Sequence, residues 1–177
     1  MSTDLLHALL EQIDWHWTTH LRPRLDGLTD DEYFWEPAPG CWTIRRRGER
    51  FVGDWQWPPP DPAPFTTIAW RLVHMAGPCL DWRKRELIDG ETVDVENYPY
   101  PGTADDALAL LDQGYGAWMD AMRALGDRVL EPMRPRAGQY ADDPWMGMIL
   151  HNNRELIHHG AEVSLLRDLY RARNGRP

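Results

Sequence analysis

Four stretches of helical periodicity, each opened by a residue suited to capping, predict an all-α fold: an up-down four-helix bundle. Between the first and second stretches lies a long connector rich in proline, tryptophan and arginine, with room for one small β-hairpin. A length of 177 residues suits a single domain spanning 1–177, and an apolar fraction of 42% is enough to build its core.

The first helix is expected from about Thr3 to Asp26. Leu5, Leu6, Leu9, Ile13 and Trp17 recur at helical spacing, Ser2 or Thr3 can cap the start, and Pro23 bends or ends the helix near its C-terminus. Thr29-Asp30-Asp31-Glu32 reads as a capping box that opens one short turn. From Cys41 to Trp57 a loose alternation suggests a two-stranded hairpin turning near Gly48 and packed on the bundle. Pro58 to Pro64 reads as a stiff, extended linker.

The second helix is expected from Thr66 or Thr67 to about Leu87, burying Ile68, Leu72, Met75, Cys79 and Trp82. Pro78 lies inside it. A helical proline crowds the carbonyl four residues back, which places the distortion at His74. Thr103 with Asp106 opens the third helix, to about Leu125. A loop with Pro132, Pro135 and Gly138 leads to Asp143-Pro144, read as cap and first position of a fourth helix running to about Arg173.

The formal net charge is −9, with pI ≈ 5.2. That argues against nucleic acid or an anionic membrane as partner, since both reward a basic surface. The N-terminus lacks the pattern of a signal peptide, and no apolar run approaches ~20 residues, so a cytoplasmic location is expected. The run Arg45-Arg46-Arg47 is either a solvated turn or a contact for an anionic small molecule. Cys41 and Cys79 form no CxxC motif and read as packed residues.

Chemistry concentrates in the fourth helix, where His151, Glu155, His158, His159 and Glu162 lie close in sequence. The seam set by Ile149, Leu156, Val163, Leu166 and Tyr170 also carries Asn152 and His159. Glu155 falls beside the seam, and His151 and His158 fall away from it. Glu155 and His159, four apart, share one face. A buried carboxylate facing a buried imidazole is costly unless a cation joins them. A third ligand must come from another helix, and His74 is placed for it, beside Gly77. Two histidines and one carboxylate leave an open position, the layout of a catalytic site. The plainer readings are a surface Glu–His pair on the last helix and a packed histidine at His74. His7, His16 and His20 read as surface residues of the first helix.

Taken together, the segments Leu28-Thr29-Asp30-Asp31-Glu32, Pro39-Gly40-Cys41-Trp42-Thr43-Ile44, Ile68-Ala69-Trp70-Arg71-Leu72-Val73-His74-Met75 and Arg154-Glu155-Leu156-Ile157-His158-His159-Gly160 resemble the DinB-like superfamily, including its mycothiol-dependent maleylpyruvate isomerase group. The resemblance implies metal ligands at His74, Glu155 and His159. Many members have histidine where this chain has Glu155, and the isomerase group has glutamate. The isomerase carries a further C-terminal domain that these residues do not include.

The resemblance further implies a divalent metal, zinc first and nickel or iron as options. It implies a thiol cofactor such as mycothiol or bacillithiol, and S-transfer or isomerisation as the reaction. A non-catalytic metal- or ligand-binding bundle of stress response is the rival. Trp42, Arg45, Trp55 and Trp57 are the candidate substrate contacts, and the alternative is that these tryptophans only seal the bundle end. The partners expected are a small molecule and, as an option, a second copy of the chain.

Overall fold

The computed structural model describes residues 2–134 and 137–175. The side chains of Ser2 and Thr3, expected as the first cap, and Pro135 lie outside the described residues. Helix α1 begins as Ser2–His16, widens into a π turn over Trp17–Leu21 and closes with Arg22–Arg24. Pro23 therefore ends it just short of the expected Asp26. Thr29 accepts a hydrogen bond from the Glu32 amide at 3.3 Å and opens the short α2, Asp30–Tyr33. Only half of the expected capping box forms, because the Glu32 carboxylate turns inward to Arg167.

Strands β1 (Ile44–Arg47) and β2 (Arg50–Gly53) form the expected hairpin, with Arg47 opposite Arg50 and Gly48 in the turn at φ +64°. Asp54 anchors the hairpin to the bundle. Its carboxylate accepts from the Thr43 amide and Arg45 Nε, and its carbonyl accepts from Trp70 Nε1. Trp42 pairs with Thr66, so the hairpin base adjoins the start of the next helix.

Helix α3 starts as Ile68–His74, capped by Thr67, whose hydroxyl accepts from the Trp70 amide. Directly after His74 it widens into a π turn, Met75–Asp81, around Pro78. The missing proline N–H is absorbed by this wider turn, where the Trp82 amide donates to the Gly77 carbonyl. Asn152 of the last helix donates to the Cys79 carbonyl at 2.5 Å, tying that turn to its neighbour. The helix continues through Trp82–Lys84 and a second π turn, Arg85–Asp89, and stops at Gly90.

Helix α4, Ala104–Arg123, opens at Thr103 as expected. It packs closely on the π turn of α3: a Cβ on Gly114 would stand 3.2 Å from the Ala76 carbonyl oxygen. Helix α5 spans Trp145–Arg173, with Pro144 itself in the cap position rather than in the first turn. The start lies one residue later than Asp143-Pro144 suggests, and no side chain caps it.

One core joins the four long helical runs. Ile13, Leu72, Met75, Leu111, Trp118, Met122, Ile149, Leu156 and Val163 are all at most 1% exposed. Each such side chain stabilises the fold by ~1.5–3 kcal/mol. Trp17 stacks on Tyr115 with ring centroids 3.9 Å apart, joining α1 to α4. Among the described residues, no helix is long and apolar enough to cross a membrane.

Candidate metal centre

His74, Glu155 and His159 converge where α3 changes from α to π geometry and faces the middle of α5. The π turn follows His74 directly, so the proline's distortion leaves the His74 backbone helical, with φ −61° and ψ −44°. Glu155 Oε2 lies 3.1 Å from His159 Nε2 and 3.5 Å from His74 Nε2. The two rings meet edge to face, with centroids 4.7 Å apart. Ligand atoms held tetrahedrally at ~2.1 Å from one ion stand ~3.4 Å apart. The two distances from Glu155 match that spacing, and all three ligand atoms lie within 4.8 Å of one another.

The electrostatics favour the basic forms that a cation needs. Burial lowers His74 to about 4, with the nearby His159 adding to the effect. Burial also lowers His159, against the opposing pull of Glu162. Burial pushes the Glu155 carboxyl up, but His159, His151 and His74 outweigh it and hold it below its ordinary value. At neutral pH the site is therefore a carboxylate between two neutral imidazoles.

A second layer fixes the rings. His159 Nδ1 lies 2.7 Å from Glu162 Oε2, and Arg71 Nη1 lies 2.9 Å from the same oxygen. Arg71 Nη1 also lies 2.9 Å from His159 Nδ1, so that nitrogen stands within hydrogen-bond distance of both a donor and an acceptor. A cation on Nε2 requires the tautomer with the proton on Nδ1, donated to Glu162. In that tautomer Nε2 turns a lone pair toward Glu155 Oε2 and a cation joins the two; in the other tautomer Nε2 donates to that oxygen at 3.1 Å. Trp70 stacks on the His74 ring at 5.0 Å and 7°. His74 Nδ1 is buried without a hydrogen-bond partner. The fit to a cation lies in the donor set: two imidazoles and a carboxylate whose ligand atoms all lie within 4.8 Å of one another.

The seam argument sorted the histidines correctly. His159 is buried, His158 is exposed, and His151 stands 3.9 Å from the outer oxygen of Glu155. His158, His159 and Glu162 form a second group within ligand distance of one another. There, however, Glu162 is engaged by Arg71. The space expected beside Gly77 is filled, since a Cβ there would stand 3.2 Å from the Trp82 ring. Arg71 was not foreseen as part of the site, although its place three residues before His74 on the same helix face was a readable signal.

The candidate substrate residues do not form one group. Trp42, Arg45 and Trp55 line a hollow of about 500 Å³ beside the hairpin. Of these, Trp55 reaches the centre, its ring 6.0 Å from His74 and 4.6 Å from Trp70. Trp42 lies one ring further out, 6.0 Å from Trp70. Arg45 is engaged by Asp54 at 2.9 Å, Glu36 at 3.1 Å and the Cys41 carbonyl at 3.0 Å. Trp57 is 91% exposed and lies outside the residues lining the hollow.

No curated protein and no solved structure matches the chain. The family model of the DinB superfamily matches residues 52–163, which run from β2 through the ligand-bearing part of α5. The match covers more than half of the chain and contains all three converging side chains, so the chain belongs to the DinB superfamily.

Proposed function

We propose that His74, Glu155 and His159 hold one divalent cation and that the centre activates a low-molecular-weight thiol for S-transfer or isomerisation. The observation that carries the reading is the convergence of three ligand atoms, with Glu155 Oε2 3.5 Å from His74 Nε2 and 3.1 Å from His159 Nε2. Two nitrogens and one carboxylate suit zinc first, with nickel and iron accepted by the same donors. When bound, such a cation favours the thiolate form of a thiol at neutral pH and leaves a position for it.

The chain's own groups prepare the site. On this reading Glu162 accepts the Nδ1 proton of His159, Trp70 holds the plane of His74, and Glu155 supplies the compensating charge. Trp55 offers an aromatic wall beside His74, and Trp42 and Arg45 continue that wall along the hairpin. The protein's own thiols are poor nucleophile candidates. Burial pushes the Cys79 thiol up to about 12, and Cys41 is 1% exposed with its thiol donating to the Ala38 carbonyl. The nucleophile therefore comes from outside, from a thiol such as mycothiol or bacillithiol. On this reading the chain works in the cytoplasm as one domain, alone or as a homodimer, on a small-molecule substrate.

Cobalt-substituted protein titrated with low-molecular-weight thiols tests the proposal. A thiolate-to-cobalt charge-transfer band should grow and saturate. An unchanged spectrum at millimolar thiol would leave a metal-binding protein of stress response without thiol chemistry.

A further inference from the structure

A second cavity, of about 250 Å³, lies beyond the metal centre, between the later part of α3 and the start of α5. Arg83, Met133, Tyr140, Pro144, Met148 and His151 line it. Its volume equals that of about eight waters at ~30 Å³ each, the size of a small aromatic acid. Met133 and Met148 are almost wholly buried, so the inner wall is apolar and deformable.

The polar groups of this cavity are distinctive. The bases next to Arg83 are paired: Lys84 with Asp89 at 2.7 Å, and Arg85 with Glu91 at 2.7 Å. Arg83 has no carboxylate within ion-pair distance among the described residues, and its Nε is buried without a hydrogen-bond partner. In a chain with 28 acidic and 19 basic residues, a half-buried arginine left unpaired is unusual. Its two Nη nitrogens are not among the buried unpartnered atoms and have no protein hydrogen bond among the described residues, so they are the donors a ligand's carboxylate would meet. Asp143 stands at the rim but is exposed and outside ion-pair distance of Arg83.

The cavity also adjoins the metal centre. His151 forms part of its wall, and His151 Nδ1 lies 3.9 Å from Glu155 Oε1. The other oxygen of the same carboxylate faces His74 and His159.

We propose that this cavity binds a small organic acid, its carboxylate held by Arg83 and its apolar body lying on Met133, Met148 and Pro144. The acid is thereby held one residue's width from the centre, and its assignment as the electrophilic substrate rests on the metal-centre reading above. Binding to the cavity does not. The ligand differs in kind from the thiol placed on the hairpin side, so the two approach the centre from different sides.

Phenylacetate serves as the probe for isothermal titration of the full chain, with amide chemical shifts as the map. Saturable binding is expected, with shifts clustered at Gly147, Met148 and His151. Phenylacetamide, equal in shape but uncharged, should bind about tenfold more weakly or worse, as expected for loss of a charge-assisted pair. Arg83→Gln should lose phenylacetate affinity by a similar factor while keeping its bound metal. His159→Ala should lose the metal and keep phenylacetate binding. Equal affinity for acid and amide in the unaltered protein overturns the proposal, as does absence of saturable binding or shifts lying elsewhere. Failure of metal binding with intact, Arg83-dependent phenylacetate binding would instead remove the metal-centre reading and leave the cavity assigned.

Discussion

Two polar clusters sit on α5, about two turns apart, and they are built in opposite ways. At Arg167 the ion pair is complete. Nε and Nη2 hold the two oxygens of Glu32 at 2.7 and 3.1 Å, and Nη1 donates to the Arg24 and Asp26 carbonyls. Both side chains are at most 4% exposed, yet every guanidinium nitrogen has an acceptor. At His74, Glu155 and His159 one carboxylate oxygen meets two imidazole nitrogens, and His74 Nδ1 has no partner. The first cluster closes the end of the bundle around the chain entering α2. The second gathers three ligand atoms within 4.8 Å of one another. The first uses its charge within the protein, and the second offers its donors to a cation.

Truncating Arg167 should produce the largest effect. Arg167→Ala leaves the buried Glu32 with only Arg171 Nε, 3.9 Å from its Oε1, and should cost ~3–5 kcal/mol in denaturant unfolding. Glu155→Gln in metal-free protein at pH 8 should be neutral within ~0.5 kcal/mol or stabilising, since an amide can donate where the carboxylate only accepts. A loss at Glu155 as large as that at Arg167 would break the comparison.

Acid should act on the metal-free centre through its histidines. His74 titrates near 4 in the folded chain, against an ordinary value near 6.5 when unfolded. Between these values the unfolded chain binds more protons, so stability is complete above about pH 6.5 and is lost as pH falls toward 4. From pH 7 to 5 the loss should be ~1–2 kcal/mol by denaturant titration, and His74→Phe should remove most of that slope. A slope unchanged in His74→Phe would place the acid sensitivity elsewhere.

Glu162→Gln should have the smallest effect on the fold while still touching the metal. The neutral amide holds an Nδ1 proton on His159 less firmly than the carboxylate does, and zinc affinity should fall ~10-fold, read by competition with a chelator. Unaltered affinity would show that Arg71 and Glu162 are a surface pair with no bearing on the ring.

Much of the fold was legible because it rests on local rules. Thr29, Thr67 and Thr103 each cap the helix they were expected to open, and the π turn in α3 forms around Pro78. The histidines of α5 sort by periodicity because a helix seam is a local property. Arg167 was not legible in this way. It is buried while Leu165 and Leu169 are 59% and 48% exposed, so the apolar pattern points to the wrong side of the last turns. Its partner lies 135 residues earlier in the chain, and no local pattern announces a pair at that separation. The engagement of Arg45 by Asp54 and Glu36 was hidden for a related reason, since it depends on how the hairpin folds back. The cavity at Arg83 was invisible in sequence because an unpaired arginine is recognised only once all its neighbours are placed.

Zinc titration by calorimetry, run on the unaltered chain and on four variants, tests the central claim most directly. The account predicts one cation per chain, lost to background in His74→Ala, Glu155→Gln and His159→Ala, and largely retained in His158→Ala. Equal retention in all four, or loss in His158→Ala with retention in His74→Ala, would contradict it and move any bound metal to the exposed group around Glu162.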